Sequence, residues 1–344
     1  ASLGPPVFGR TPSPAGGAQR AMARVVRRLL TWTTSRHASP DDKEAPVQYR
    51  NRLLERSQHP YAQSLLASSK RETEGLVEGG DPMNGPYMML APEIRETCTV
   101  WDRLFFNSVL GKDVQLRFIW ETNATYELAS RRIEREGSVR IKALAAGTGL
   151  SLILAYDRLL RDGCDPGCIT AHITDRDEAN TTKTNRLLSK LAARRGWKPA
   201  ANGDAGIEAF TEDIFTEAPA GLASARGKYD ILTAVGILEY LQGFTCETTE
   251  RHHGMHEEED AANAIHRAGI LAAMSEPDAS LVVNTYRPHA STRILEIFGK
   301  RFDYRRPEHL VELLATAGFR PARIAGSGVV YDVKIYEKVP PAAA

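Results

Sequence analysis

Hydrophobic positions divide the chain into two parts that meet near residue 136. Over residues 43–135 they predict mostly helices, most clearly in residues 92–110, where they recur at spacings of three and four. The two clearest helical patterns cover residues 92–110 and 118–135. This part shows no alternating strands of its own, so the pattern predicts a helical cap or lid over residues 41–135.

Beyond residue 136, short apolar runs alternate with helical stretches. That rhythm predicts βαβ units and a mostly parallel sheet. The first five strand-like runs cover residues 139–145, 168–174, 207–210, 229–235 and 279–285. A helix over 307–317 and two consecutive strand-like runs, 320–325 and 329–337, predict an antiparallel hairpin that closes the sheet. The predicted fold class is therefore α/β, with a doubly wound, mostly parallel sheet over residues 136–340.

Residues 1–40 differ from the rest of the chain in charge. They contain six arginines and no Asp or Glu, and residues 1–19 are rich in Pro, Gly, Ala and Ser. This composition predicts a disordered, basic extension in which residues 21–32 have the pattern of a short amphipathic helix. The proline and glycine content argues against an organelle-targeting peptide, although the arginines fit one.

Composition limits the classes of partner. Apolar residues make up 42% of the chain and charged residues 25%, the balance of a soluble globular protein. The net charge of +1 gives no electrostatic reason to expect nucleic acid or an acidic membrane as partner, and no stretch is long enough for a transmembrane helix. Four cysteines are too few for a disulfide scaffold, so we expect reduced thiols and a cytoplasmic location. The sequence leaves a homodimer open.

A short glycine-containing loop, Ala146-Gly147-Thr148-Gly149, follows the first predicted strand and opens a helix over 150–160. Glycines at such a point let the backbone approach a ligand, and the amide groups of the helix N-terminus point toward it. A Gly-x-Gly pair alone is a weak signal. Its position between an apolar strand and a helix predicts a nucleotide-type cofactor at this end of the strand.

Acidic residues stand at the ends of the next two predicted strands. Asp175 ends the second strand, where a carboxylate holds a ribose hydroxyl in doubly wound folds. The alternative is that Asp175 or Asp177 caps the helix that follows; we assign the cap to Asp177 and the ribose to Asp175. Asp213 and Ile214 follow the third strand and offer the acceptor and the apolar face that an adenine ring requires.

Together these segments resemble the class I S-adenosylmethionine (SAM)-dependent methyltransferase superfamily, in their order and at typical spacing. The resemblance covers residues 125–338 and also includes the Gly-Ile-Leu-Glu-Tyr-Leu end of the fourth strand and the helix and turn over 306–319. It implies a seven-stranded sheet with an antiparallel last strand and SAM over the carboxyl ends of the strands. The residues that it assigns to the cofactor are Ala146, Gly147, Gly149, Asp175, Asp213, Ile214, Val235 and Gly236.

The chain departs from the family pattern at the end of the first strand. The family usually has an acidic residue just before the glycines, whereas Ala145 and Ala146 stand there, and Ser151 occupies the third glycine position. Contacts to the methionine amino group must therefore come from elsewhere. The helical cap and the backbone carbonyls of Val235 and Gly236 are the two options. An NAD-binding Rossmann domain is the nearest rival, and the incomplete glycine motif and the terminal hairpin weaken it.

Signals for the methyl acceptor are weaker than those for the cofactor. The chain lacks the Pro-Pro-aromatic tetrapeptide and the Pro-Cys nucleophile of DNA-base methylation, which favours a small-molecule substrate and no nucleic acid. Tyr240 ends the fourth strand, and the cap offers Tyr87, Trp120 and Tyr126, for each of which core packing is the alternative. His256 lies in a histidine-rich loop that predicts either a base or a metal ligand. We favour a solvated loop without a metal, because adjacent histidines rarely converge on one ion.

Three functions remain open on these grounds. The first is a small-molecule methyltransferase, with Tyr240, His256 and Tyr126 as candidate catalytic residues. The second is a SAM cyclase, similar to azetidine-2-carboxylate synthases of this fold, in which the amino group of SAM attacks its own γ-carbon and releases methylthioadenosine. The missing acid before Gly147 favours it mildly. The third is a SAM-binding protein without catalytic activity.

Overall fold

The computed structural model describes residues 109–176, 178–196, 206–213, 227–238, 257–286 and 307–339. Most of the predicted cap, the basic extension and the histidine-rich loop lie outside the described residues. So do five of the individually predicted side chains, namely Tyr87, Asp177, Ile214, Tyr240 and His256. Their roles stay predictions.

The described residues form one seven-stranded sheet with the order β3-β2-β1-β4-β5-β7-β6. The strands are β1 (Val139–Ala143), β2 (Ile169–Asp175), β3 (Gly206–Thr211), β4 (Tyr229–Ala234), β5 (Ser275–Tyr286), β6 (Phe319–Ser327) and β7 (Tyr331–Lys338). The first five pair in parallel, and β7 is antiparallel to both β5 and β6. The predicted seven-stranded sheet and its closing hairpin are therefore confirmed.

Helices cover both faces of this sheet, as a doubly wound fold requires. They are α1 (Val109–Glu136), α2 (Leu150–Arg161), α3 (Glu178–Arg195), α4 (Glu257–Ala273) and α5 (Pro307–Thr316). One buried cluster joins residues of α1, α2 and α3 to β1, β2 and β3, and another joins α4 and α5 to β4 and β5. None of the described helices is long and apolar enough to cross a membrane.

Helix α1 begins earlier than its hydrophobic pattern predicts. The pattern placed a break between residues 110 and 118, but one helix continues through them. The break was predicted because buried positions here carry polar side chains, among them Asp113 and Arg117, which are each 4% exposed. Asp113 is buried because its carboxylate accepts hydrogen bonds from the backbone N–H groups of Val330 and Tyr331 in the β6–β7 turn. Tertiary hydrogen bonds thus replace apolar contacts at this end of the helix.

Candidate functional site

The carboxyl ends of β1, β2 and β4 meet beside the N-terminus of α2. Ala143 pairs with Ile173 of β2 on one side and with Thr233 of β4 on the other. Beyond the paired strands, Ala146 N–H donates to the Thr174 carbonyl at 3.0 Å. The loop after β1 therefore lies at the edge where doubly wound sheets bind their ligands.

Three residues of this loop adopt left-handed backbone conformations. Gly147 and Gly149 have φ angles of 58° and 59°, and Ala145 has φ 45° although it carries a Cβ atom. Strain of this kind costs about 1–3 kcal/mol at a non-glycine residue and is concentrated at functional sites. The backbone conformation of Ala145 is therefore not the one that an alanine prefers, and the rest of the structure must hold it in place.

Asp175 and Gly147, both predicted to contact the cofactor, are brought together directly. Asp175 Oδ2 accepts the Gly147 N–H at 2.8 Å, and its Oδ1 accepts from Asn180 Nδ2 at 3.3 Å. The side chain is 5% exposed. The backbone carbonyl of Asp175 also accepts Glu212 N–H at 3.0 Å, which ties the segment before Asp213 to the end of β2.

Gly149 is required for the packing of the loop against β2, and its predicted contact with a cofactor stays a prediction. A Cβ atom at this position would lie less than 3.0 Å from three atoms of the Ile173 side chain. Ile173 is fully buried in β2. A glycine that lets a helix pack closely against a strand is one of the roles that dinucleotide-binding loops assign to glycine, and it accounts for Gly149 without any ligand.

A small cavity lies between this loop, α1 and the end of β4. Its volume is about 40 Å³, which is room for a few water molecules or one small polar group. The residues that line it are Phe118, Glu121, Leu144, Ala146, Thr148, Leu150, Ser151, Thr233 and Val235. Two of them, Ala146 and Val235, were predicted to belong to the cofactor site.

Among the described residues that line this cavity, Glu121 is the one acid. It is 8% exposed, and burial raises the pKa of its carboxyl group to about 7. Hydrogen bonds from the Ser151 and Thr233 side chains, and the charge of Arg117 one turn earlier in α1, act in the opposite direction but are outweighed. The cavity thus contains a carboxyl group that can change its charge near neutral pH.

Gly236, at the end of β4, is fixed by β5. Its N–H donates to Asn284 Oδ1 at 2.7 Å, and its φ of 85° suits glycine. A Cβ atom there would lie 3.3 Å from the Arg117 guanidinium group, so α1 also packs closely against this turn. The prediction that Val235 and Gly236 present carbonyl groups to a cofactor stays a prediction.

Tyr126 and Trp120, two of the predicted pocket aromatics, pack away from this cavity. Tyr126 donates its hydroxyl to Asp162 Oδ2 at 2.6 Å, and the Arg158 guanidinium lies 3.7 Å from its ring centre. Asp162 follows the C-terminal end of α2, opposite to the end that faces the cavity. Trp120 packs against the buried cluster of α1, β5 and β7. The structure therefore does not bring Tyr126 to the cavity, and its contacts fit the packing alternative.

Glu121 was missed because sequence analysis identified acids at strand ends and not inside helices. A signal did exist: Val114, Phe118, Glu121 and Thr125 follow each other at helical spacing, and all four are buried. An acid in such a stripe rarely stays there without a partner.

Within the described part of the chain, no group of three or more His, Cys, Asp or Glu side chains could hold a metal ion.

Comparisons with known proteins bear on the fold alone. No protein-family model and no curated protein matches the sequence. The chain is similar to a solved structure described as a possible exported protein from Bordetella parapertussis, with a TM-score of 0.52 and 14% identity over 93% of this chain and 95% of that one.

The chain is also similar, with TM-scores below 0.5, to two further solved structures. One is an O-methyltransferase family protein from Burkholderia thailandensis (TM-score 0.46, 13% identity, 96% of this chain and 89% of that one). The other is the trans-methyltransferase CalH in complex with SAH (TM-score 0.49, 12% identity, 95% and 93%). The sheet has the seven strands and the antiparallel β7 that the resemblance to class I SAM-dependent methyltransferases implies, so this resemblance is confirmed as a likeness of fold.

Proposed function

We propose that this protein binds SAM at the edge formed by β1, β2 and β4 and transfers its methyl group to a small molecule. The observation that supports this most is the hydrogen bond from Gly147 N–H to the Asp175 carboxylate. It joins the glycine loop to the acid at the end of β2, and a carboxylate at that position holds the ribose hydroxyl in doubly wound folds.

The residues at this edge of the sheet have the chemical groups that SAM requires. A carboxylate stands at the position for the ribose, and Asp213, with Ile214 beside it, is our candidate for the adenine. Ala146 and Val235 line a cavity that also has a carboxyl group in its wall. SAM supplies a methyl group already activated by a sulfonium, so the protein must chiefly orient the acceptor and exclude water. Tyr240 and His256 remain our candidates for that acceptor side.

Binding of S-adenosylhomocysteine, measured by isothermal titration calorimetry, tests the cofactor site. We expect Asp175→Ala to weaken binding at least tenfold, because the ribose contact and the anchor of the Gly147 amide are both lost. Asp165→Ala is the matched control, since Asp165 lies in an exposed turn after the far end of α2 and caps the 3₁₀ turn Pro166–Cys168. If the unchanged protein binds neither SAM nor S-adenosylhomocysteine, the proposed function is wrong.

A second candidate, the SAM cyclase, is favoured by the carboxyl group with a pKa near neutrality. In this reaction the ammonium of SAM first gives a proton to a base. The amine lone pair then forms a bond to the γ-carbon, and the electrons of the breaking carbon–sulfur bond stay on sulfur, which leaves as neutral methylthioadenosine. A carboxyl group such as that of Glu121, with its pKa near 7, can serve as that base.

Incubation with SAM alone, followed by mass spectrometry, separates these candidates. Methylthioadenosine and azetidine-2-carboxylate formed without an acceptor would support the cyclase. S-adenosylhomocysteine formed only in the presence of an added small molecule would support methyl transfer. Binding without turnover under any condition would leave a SAM-binding protein without catalytic activity.

A further inference from the structure

We propose that Glu121 binds the α-amino group of the cofactor, so that helix α1 supplies the negative charge that the end of β1 lacks. This inference rests on the proposed function, because it assigns a partner within the same site. The carboxylate of Glu121 is the acidic group that the described residues contribute to the cavity wall, and Ala146 and Thr148 from the β1–α2 loop line the same space.

The loop after β1 offers no negative charge to a cation. The segment between β1 and α2 contains no acidic side chain, since it consists of Leu144, two alanines, two glycines and a threonine. An ammonium group that enters the cavity therefore meets no carboxylate from this loop. Glu121 lines the same cavity from α1, and its place in the wall makes it the anionic partner that the described residues offer there.

Glu121 is surrounded by apolar side chains and by a few polar groups that act on its carboxylate. Phe118, Leu144 and Val235 form apolar parts of the cavity wall, and burying a carboxylate among such groups is costly unless it is paired or hydrogen-bonded. Two hydroxyl groups, from Ser151 on α2 and Thr233 on β4, donate to it, and Arg117 on α1 provides a positive charge. Burial has a larger effect on the pKa of Glu121 than these three groups together, so the pKa stays raised. A further cation beside the carboxylate would therefore stabilise its ionised form.

The volume of the cavity limits which part of the cofactor can enter it. The cavity of about 40 Å³ cannot hold a whole nucleoside, but it can hold a group of the size of an ammonium. An ammonium is a compact cation with three N–H donors, and hydrogen bonds to an ionised carboxylate are among the strong ones. The methionine end of the cofactor therefore fits this cavity better than the adenosine end.

The test compares two ligands that differ only at the amino group. S-adenosylhomocysteine and its deamino analogue, in which hydrogen replaces the α-amino group, are titrated into the full-length protein by calorimetry. We expect Glu121→Gln to weaken S-adenosylhomocysteine at least tenfold and the deamino analogue less than twofold. Glu127→Gln, on the same helix but exposed and paired with Arg323, should change neither affinity.

The outcomes distinguish this inference from the proposed function. If the unchanged protein binds S-adenosylhomocysteine but Glu121→Gln weakens both ligands equally, or neither, Glu121 does not contact the amino group and the inference is overturned. If the unchanged protein binds neither ligand, the proposed function itself is wrong. Retained binding of the deamino analogue also shows that the variant is folded.

If Glu121→Gln does not fold, a measurement on the unchanged protein tests the same inference. Protonation of Glu121 would compete with the ammonium, so the preference for S-adenosylhomocysteine over the deamino analogue should fall by about tenfold per pH unit well below pH 7. The groups that act on Glu121 are Arg117, which stays charged, and the hydroxyls of Ser151 and Thr233, which do not titrate in this range. A preference that stays constant from pH 7.5 to pH 5.5 would overturn the inference.

Discussion

Replacing Glu121 with glutamine should make the ligand-free protein more stable at pH 8 and leave it little changed at pH 5. Glutamine has nearly the same shape and can accept the same hydroxyl donors, but it cannot ionise. In the folded protein the pKa of Glu121 is raised from 4.5 to about 7. The folded state therefore holds the proton more tightly than the unfolded state does.

The sign and size follow from linkage. Below pH 4.5 the carboxyl group is protonated in both states, so it has no effect on the free energy of unfolding. Between pH 4.5 and about 7 the folded state binds more protons, so stability falls as the pH rises. Each pKa unit corresponds to about 1.4 kcal/mol, which gives a loss of about 3 kcal/mol in the unchanged protein by pH 8. Glu121→Gln does not undergo this loss.

Urea denaturation at pH 5 and pH 8 measures the effect, with Glu127→Gln as the control that removes a charge from an exposed position of α1. The stability of Glu121→Gln relative to the unchanged protein should rise by about 2–3 kcal/mol between the two pH values. Other carboxyl groups titrate in all three proteins and cancel in the comparison. If Glu121→Gln and Glu127→Gln respond equally to pH, the carboxyl group of Glu121 is not buried as described.

Two further predictions concern the packing of Gly149 against β2 and the ion pair between Lys142 and Glu212. Gly149→Ala should lower the free energy of unfolding by about 1 kcal/mol through its positive φ and by about 1–3 kcal/mol more through overlap with Ile173. Gly137→Ala, with φ 78° and no atom near the added Cβ, should show only the first of these losses. Equal losses in urea denaturation would contradict the packing role. Lys142→Met should cost about 3–5 kcal/mol, because it leaves Glu212 buried without the ammonium group that lies 2.6 Å away. The double variant with Glu212→Gln should recover part of that loss, and strictly additive losses would show that the pair is not coupled.

The sheet could be predicted from the sequence because its signals are local. Each strand is a short apolar run between turn-forming residues, and all seven were placed within a few residues of their observed bounds. The largest error in a strand boundary concerns β5, which begins at Ser275 and not at 279, because its start carries the partly buried Glu276 and the exposed Pro277 and Asp278. The helix α1 shows the limit of this approach, since its first turns are held by tertiary hydrogen bonds.

The site was predictable only where its residues follow strands. Asp175 and Gly147 lie at strand ends, and the topology of a doubly wound sheet brings such residues together whatever their spacing in sequence. Glu121 comes from a helix whose position over the sheet depends on contacts far apart in the chain. No local pattern states which strand end a helical residue will face, so its role could be inferred only from the three-dimensional arrangement.

The position of Glu121 is fixed at both ends of α1. Near its start, Asp113 accepts from the backbone of the β6–β7 turn, with 3.2 Å to Tyr331 N. Near its end, Arg132 contacts Asp230 of β4 at 2.8 Å, with both side chains largely buried. A carboxylate on a helix held in this way cannot reach water by a small shift, so the free energy cost of its burial persists in the absence of ligand. A ligand cation would offset that cost, and this is why a stability penalty at Glu121 and selectivity for an amino group are expected to have one origin.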